Sequence, residues 1–296
     1  MNRLPIKISV VTPSFNQASF LEQTIRSVLD QGYANLEYVI IDGGSSDGSA
    51  EIINTVSHRL HYWISERDEG HAHALNKGFA QTSGEVMCWL NSDDMYLPWT
   101  FRVVSEIFSG FPNINWIIGL NSWWSEHGVI TGAARVPKNI YDYLLGDYAW
   151  IQQESVFWRR SLWELTGGYI DQSYRLMVDG ELWSRFFLKD QLYLVDCILG
   201  GYRQHSSNRA MHNYKECETE MIKAINAMRL RCPSDIISTY RALRCIKVLK
   251  HAPIMRHFPI EKIARRIMPS AYQRAGYPIL SYHDGAWKHS GSQFTV

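Results

Sequence analysis

The sequence has no run approaching the roughly 18 apolar residues of a membrane-spanning helix, so nothing in it predicts a span. Cysteines are few and scattered: Cys88, Cys197, Cys217, Cys232 and Cys245 are odd in number and form no CxxC pair. That excludes the usual zinc and dithiol patterns and suits a reducing cytoplasm. Charge of either sign is not in excess, the formal net charge being +1. No broad basic face for nucleic acid is therefore expected, and any anionic partner has to be met by a local site. There is no GxxxxGK[ST] and no GxGxxG, which sets aside P-loop and dinucleotide-binding chemistry. The opening Met1 to Pro5 lacks the apolar core of a signal peptide. The expectation is a cytoplasmic protein, soluble or peripheral on the inner face of the membrane.

What is present is a chain of 296 residues, 46% hydrophobic and 20% charged, enough for one large core. Apolar, β-rich runs at Lys7 to Thr12, Leu36 to Ile41, Leu60 to Ser65 and Val86 to Leu90 alternate with helical patterns. The first helix puts Leu21, Ile25, Val28 and Leu29 on one face; others span Ala50 to Val56 and His71 to Ala80. This alternation predicts an α/β fold with an open, mostly parallel sheet flanked by helices, its ligands gathered at the C-terminal strand ends. Each end is polar: Thr12 and Pro13, then Asp42, then Glu66 to Gly70, then Asp93 and Asp94. Such convergence implies a nucleotide-sized crevice. A carboxylate at Asp42 would accept the N3–H of uracil or thymine, and Asp94 with Asp93 offers hard oxygen ligands for Mg2+ or Mn2+ against a diphosphate. Asn-Ser-Asp-Asp is also good turn chemistry, so the site rests on the convergence.

Four blocks, Ile8 to Asn16, Ile41 to Gly48, Asn76-Lys77-Gly78 and Trp89 to Asp94, resemble the successive motifs of the family 2 glycosyltransferases. The match covers about the first 100 residues and continues more weakly to about residue 210. The resemblance implies a GT-A fold, a nucleotide-sugar donor, a divalent metal and inversion at the anomeric carbon. It sets Pro13 and Asn16 against the nucleotide and Asp42 at the base, and it assigns Thr12, Glu66, Asp68, Asn76 and Lys77 to the donor pocket. Ser92-Asp93-Asp94 takes the place of the DXD motif with Ser in its first position. Asp94 is therefore assigned to the metal, and Asp93 to the ribose or a metal-bound water. His73 stands where relatives commonly carry Asp, so no sugar specificity is transferred through that helix.

The second half must supply the acceptor side. Met177 to Trp183 resembles the family block that opens a helix with the catalytic Asp. Inverting transfer needs a carboxylate opposite the leaving diphosphate. Asp179 is given that role and Glu181 is the alternative, because residues at i and i+2 face different sides of a helix. An acid in a first turn is also favoured by the helix dipole alone. His205 resembles a residue that joins the metal or diphosphate from a loop, and Arg203 suits a diphosphate clamp. Most of the tryptophans in the middle third are expected in the core. Trp150 is the one assigned to stack on an acceptor sugar, with Gln153, Glu154 and Glu181 beside it.

From residue 213 the pattern is helical, with Met221, Ile222, Ile225, Met228 and Leu230, then Ile236 to Leu249 interleaved with Arg241, Arg244, Lys247 and Lys250. These read as packed helices or as basic amphipathic helices on an anionic membrane surface; the segment after Ser281 is expected to be poorly ordered. The domain reading is a transferase unit over 1–212, divided near 98 into donor and acceptor halves, and a helical extension over 213–296. The functional reading is transfer of one sugar from a UDP or dTDP sugar to a hydroxyl of a glycan or lipid-linked acceptor. A sugar nucleotidyltransferase would need a Gly-rich basic loop where Pro13 to Asn16 stands. A non-catalytic nucleotide-sugar or glycan-binding module is the other alternative, and the lack of QxxRW argues against a processive synthase.

Overall fold

The apolar runs of the first 90 residues form β1 (Ile8–Ser14), β2 (Leu36–Asp42), β3 (Tyr62–Ser65) and β4 (Val86–Trp89), joined by α1 (Ala18–Leu29), α2 (Ser49–Thr55) and α3 (His71–Ala80). They lie in the order β3-β2-β1-β4, all parallel, with Ser14 level with Asp42 and Asp42 level with Ser65. β1, β4 and nearly all of β2 are buried, as a sheet covered on both faces requires. The computed structural model describes residues 5–149, 151–206, 208, 213–252 and 258–295.

The chain continues through β5 (Met95–Tyr96), α4 (Thr100–Gly110), β6 (Trp116–Ile118), β7 (Asn121–Ser125), β8 (Ile130–Ala134), α5 (Ile140–Leu144), β9 (Val156–Arg159), α6 (Arg160–Leu165) and α7 (Val178–Phe187). Then follow β10 (Tyr193–Val195), β11 (Gly200–Gln204), α8 (Tyr214–Arg231), α9 (Ser234–His251), α10 (Ile260–Ile267), α11 (Pro269–Arg274), β12 (Tyr277–His283) and β13 (Ala286–Ser292). One sheet has the order β13-β12-β10-β6-β9-β4-β1-β2-β3, parallel except where β9 runs against both neighbours and β13 against β12. A second sheet, β5-β11-β7-β8, stands at the C-terminal end of β4. Trp89 stacks on Trp183 with centroids 5.6 Å apart, and Trp116 and Trp158 pack against the same indole. These tryptophans are core, as expected.

One reading of the C-terminal stretch is corrected. The segment after Ser281 is not poorly ordered: β12 and β13 pair tightly, and β12 adds to the main sheet beside β10. The signal was Asp284-Gly285, both at positive φ, which is the two-residue turn of a tight hairpin. The C-terminal helices pack by one face: Met221, Ile225, Met228, Leu243 and Ile246 are buried in the common core. Ile222, Leu230, Val248 and Leu249 remain exposed. Among the described residues no helix is long and apolar enough to cross a membrane.

At the opposite end of the sheet from the polar crevice, Glu37 is 3% exposed. It accepts from Ser9 Oγ (2.6 Å), Gly84 N (2.8 Å) and Ser83 N and Oγ (2.8 Å each), and pairs with Lys7. Burial raises its pKa, but those donors outweigh burial and hold the carboxyl down at about 2. A depressed folded-state pKa gives stability that is full above the unfolded value and is lost as pH falls through the folded one. Glu37→Gln is therefore expected to destabilise the neutral-pH protein by about 3 kcal/mol in urea unfolding. The deficit should vanish as both proteins are taken toward pH 2.

Candidate active site

The crevice lies at the C-terminal ends of β1, β2 and β4, and several residues assigned to the donor turn out to build it. β1 runs two residues further than its pattern suggested, so Thr12 lies inside the sheet, fully buried with its hydroxyl 3.1 Å from Tyr38 Oη. It is corrected to a core residue. Pro13, also in β1, lies level with Ile41 of β2. Asn16, at φ +52°, accepts the Ser46 N–H at 3.0 Å and donates its own N–H to Ser45 Oγ, locking the β1 and β2 loops together. Asp42 is 0% exposed, and its oxygens accept Gly44 N, Ser45 N, Ser45 Oγ and Ser65 Oγ. Three of these donors fall on Oδ2 and Ser45 Oγ alone on Oδ1, and with the carboxylate fully buried a base N–H reaches it only if the surrounding loop moves. Here Asp42 organises the loop. Phe15, which is exposed, and Asp68 crowd Gly43 on the open side.

The Asn76-Lys77-Gly78 block is structural on all three counts. Asn76 donates to Ile170 O and accepts Ile170 N, both at 2.8 Å, so its amide is oriented to clamp the Ile170 peptide rather than a donor, which corrects that assignment. Lys77 pairs with Glu66, and Asp68 accepts the Gly70 N–H. A Cβ on Gly78 would stand 2.3 Å from Val11 Cγ1, so glycine alone lets α3 lie this close to β1.

The acidic centre forms where β4 ends and β11 crosses it. Asp94 is buried; its Oδ1 accepts the Arg203 N–H at 2.9 Å, and Asn91 Nδ2 approaches Oδ2 at 3.4 Å. Burial pushes its carboxyl well above the ordinary range, and the charges of Glu154 and Asp93 push the same way. Asp93 meets His205 Nε2 at 3.1 Å, and the imidazole lies on Phe20 with centroids 4.4 Å apart. Arg203 is on strand β11 rather than in a loop, fully buried over the Phe20 ring. None of its three guanidinium nitrogens has a hydrogen-bond partner among the described residues. Crowded buried carboxylates, an imidazole and an unused guanidinium suit a cation together with a diphosphate. Among the described residues no three His, Cys, Asp or Glu side chains alone are placed to hold a metal. Asp94, Asp93 and His205 are the right donor types for a divalent ion but do not converge on one point, so phosphate oxygens would have to supply most of its ligands.

Glu154 sits in the 3-10 turn Gln153–Ser155, buried, with Oε1 unpartnered among the described residues. Its carboxyl is raised by burial and by the charges of Asp179 and Asp93. Glu154 is thus close enough to Asp93, Asp94 and Asp179 for their charges to act on one another. Asp179 stands in the first turn of α7, its pKa raised to about 6 by burial, with Glu220 adding to the rise against local backbone hydrogen bonds. Glu181 is corrected: Arg185 Nε and Nη2 each reach it at 2.8 Å, and the same guanidinium holds Thr166 O and Tyr169 O. Glu181 is one half of a buried structural pair and is free neither as a base nor for an acceptor. Gln153 donates to the Trp89 carbonyl, which ties the turn to the end of β4. Trp150 lies outside the described residues.

The model of Glycosyl transferase family 2 matches residues 9–115. The uncharacterized glycosyltransferase Rv1514c of Mycobacterium tuberculosis is 30% identical over 200 residues, covering 65% of this chain and 73% of the relative. The chain belongs to glycosyltransferase family 2. As a fold, this glycosyltransferase is similar to S. aureus TarS 1–349 in complex with UDP-GlcNAc, with a TM-score of 0.65, 14% identity and coverage of 91% and 82% of the two chains. It is also similar to the mannosyltransferase PcManGT of Pyrobaculum calidifontis in complex with GDP-Man and Mn2+, with a TM-score of 0.59, 16% identity and coverage of 90% and 76%. The GT-A architecture is thereby established for it.

Three residues of the transferase site carried no signal in the sequence. Phe20 supports His205 and Arg203 from α1; Asn208 accepts the His205 N–H at 2.7 Å; Glu220 approaches Asp179 from α8. Each acts across more than two elements of intervening chain or as one polar residue among many, so local pattern does not mark it.

Proposed function

We propose that the enzyme moves one sugar from a nucleoside diphosphate sugar, with UDP or dTDP favoured, to a hydroxyl of a glycan or lipid-linked acceptor, with inversion. The nearness of the buried Glu154 carboxyl to Asp94, Asp93 and Asp179, close enough for their charges to act on one another, carries the reading. The two functional edges then share one cleft and can address one anomeric carbon from opposite flanks. Asp94, with Asp93 and His205, would hold Mn2+ or Mg2+, which when bound supplies positive charge against the diphosphate. Arg203 offers its unused guanidinium donors to the same phosphates. Asp179 takes the acceptor's proton as the new bond forms, and Phe20 with the surrounding core keeps water from the phosphates.

A base must be deprotonated to act, so kcat/KM is expected to rise through an acid limb near pH 6, the value to which Asp179 is lifted. A flat profile between pH 5 and 7.5, roughly the span of such a titration, would remove Asp179 from the role. The donor is tested by thermal shift with a panel of nucleotide sugars, with and without Mn2+, because a selective ligand stabilises according to its occupancy. A donor that raises Tm only with metal and is then turned over supports the proposal. Metal-dependent binding with no transfer or hydrolysis would instead leave a binding module.

A further inference from the structure

The peptide that delivers Asp179 is held from α8, outside the stretch matched by the family model. Glu220 accepts the Arg175 N–H through one oxygen at 2.8 Å, and the Leu176 and Met177 N–H groups through the other at 3.0 and 2.9 Å. A carboxylate placed ahead of a helix satisfies donors that would otherwise be orphaned, and it faces the positive end of the dipole. Beside this, a Cβ on Gly180 would stand 2.1 Å from Met221 Sδ, so α7 and α8 meet within one residue of Asp179 and of Glu220. Two flanking contacts reinforce the hold. Glu216 lies 3.8 Å from Arg175, while Lys223 donates to Ser173 Oγ at 3.2 Å and sits 4.1 Å from the centre of the Tyr174 ring. Glu216, Glu220 and Lys223 recur at helical spacing, so one face of α8 grips residues 173–177.

We propose that Glu220 is the positioning residue of the base: it fixes the turn that aims Asp179 and sets a second negative charge beside it, which makes Asp179 the better proton acceptor. This rests on Asp179 acting as the base. The titratable groups facing Asp179 are Glu220 and Cys217 from α8, Tyr143 from α5 and Glu154 from the 3-10 turn. Among them Glu220 alone also carries the backbone leading into α7. The charge and the geometry can therefore be separated by substitution. E220Q keeps most of the shape without the charge; E220D keeps the charge on a shorter arm.

The test is a carboxyl NMR titration of the whole chain labelled with 13C at aspartate side chains, the Asp179 signal being assigned by its loss in D179N. In E220Q the Asp179 midpoint should fall by about half a pH unit or more, whereas E220D should stay near wild type. Amide exchange at 175–177 should quicken in both. With the donor selected by thermal shift, kcat of E220Q should drop roughly tenfold or more while the donor KM changes less than about twofold. An Asp179 midpoint and amide exchange in E220Q equal to wild type overturn the proposal. Should D179N retain activity while E220Q still moves the Asp179 midpoint, the base assignment fails and the hold of Glu220 on Asp179 stands. Full loss of activity in D179N with an unmoved midpoint in E220Q means the opposite: Asp179 stays the base and Glu220 does not tune it.

Discussion

Asp179→Asn is expected to lower kcat by roughly a thousandfold or more, with donor affinity changed by less than about threefold. Asn has nearly the same shape and can accept the local backbone hydrogen bonds of the α7 first turn, so the fold should not suffer. What it cannot do is take a proton. Because Asp179 is half-buried and already raised to about 6, replacing it removes a carboxylate that costs desolvation, and the variant should melt no lower than wild type at pH 7.5. The check is initial-rate kinetics with isothermal titration of the donor. A kcat within about tenfold of wild type would show that another group, Glu154 first among them, removes the proton.

Asp94→Asn should reduce turnover by about a hundredfold to a thousandfold and abolish the extra stabilisation that Mn2+ gives in the presence of a nucleotide sugar. The amide oxygen can still accept the Arg203 N–H that Asp94 Oδ1 accepts at 2.9 Å, so β11 stays in place. The sign of the stability effect follows from the pKa. The Asp94 carboxyl is raised by burial and by Glu154 and Asp93. Ionisation therefore costs more in the folded chain than in the unfolded one, and that cost grows as pH climbs above the usual carboxylate range. D94N has no such cost, and without metal it should melt at or above wild type at neutral pH. Differential scanning with and without Mn2+ reads both effects. A variant that melts lower without metal yet keeps the metal-dependent shift would remove Asp94 from the cation site.

Part of the site was open to a reader of the chain. Asp93, Asp94 and Asp179 were legible because an apolar strand that breaks into acids, or an acid that opens a helix, is a local event. His205 was legible through resemblance, and the structure brings it to Asp93. Thr12, Asn76 and Glu181 were misassigned for one shared reason. A polar residue near a strand end or in a helix first turn has the same sequence signature whether it faces a ligand or satisfies a neighbouring backbone. Two of the partners, Tyr38 and Ile170, are known only once the elements pack, whereas Arg185 lies one turn along α7 from Glu181. The C-terminal hairpin was missed because its polar composition outweighed the Asp284-Gly285 turn signal.

Alternating strand and helix periods determined by themselves the parallel sheet of the first 90 residues and the edge at which its acids gather, since hydrophobic spacing and turn chemistry act over a few residues. The tertiary structure decided which carboxylates are free. Ser65 of β3 adds a donor to Asp42 and Tyr38 closes on Thr12, while Glu154 keeps its Oε1 unpartnered among the described residues and Glu220 is carried to the turn before Asp179 from α8. A donor from a distant element reaches a buried carboxylate only through packing across the chain, and no local pattern encodes it.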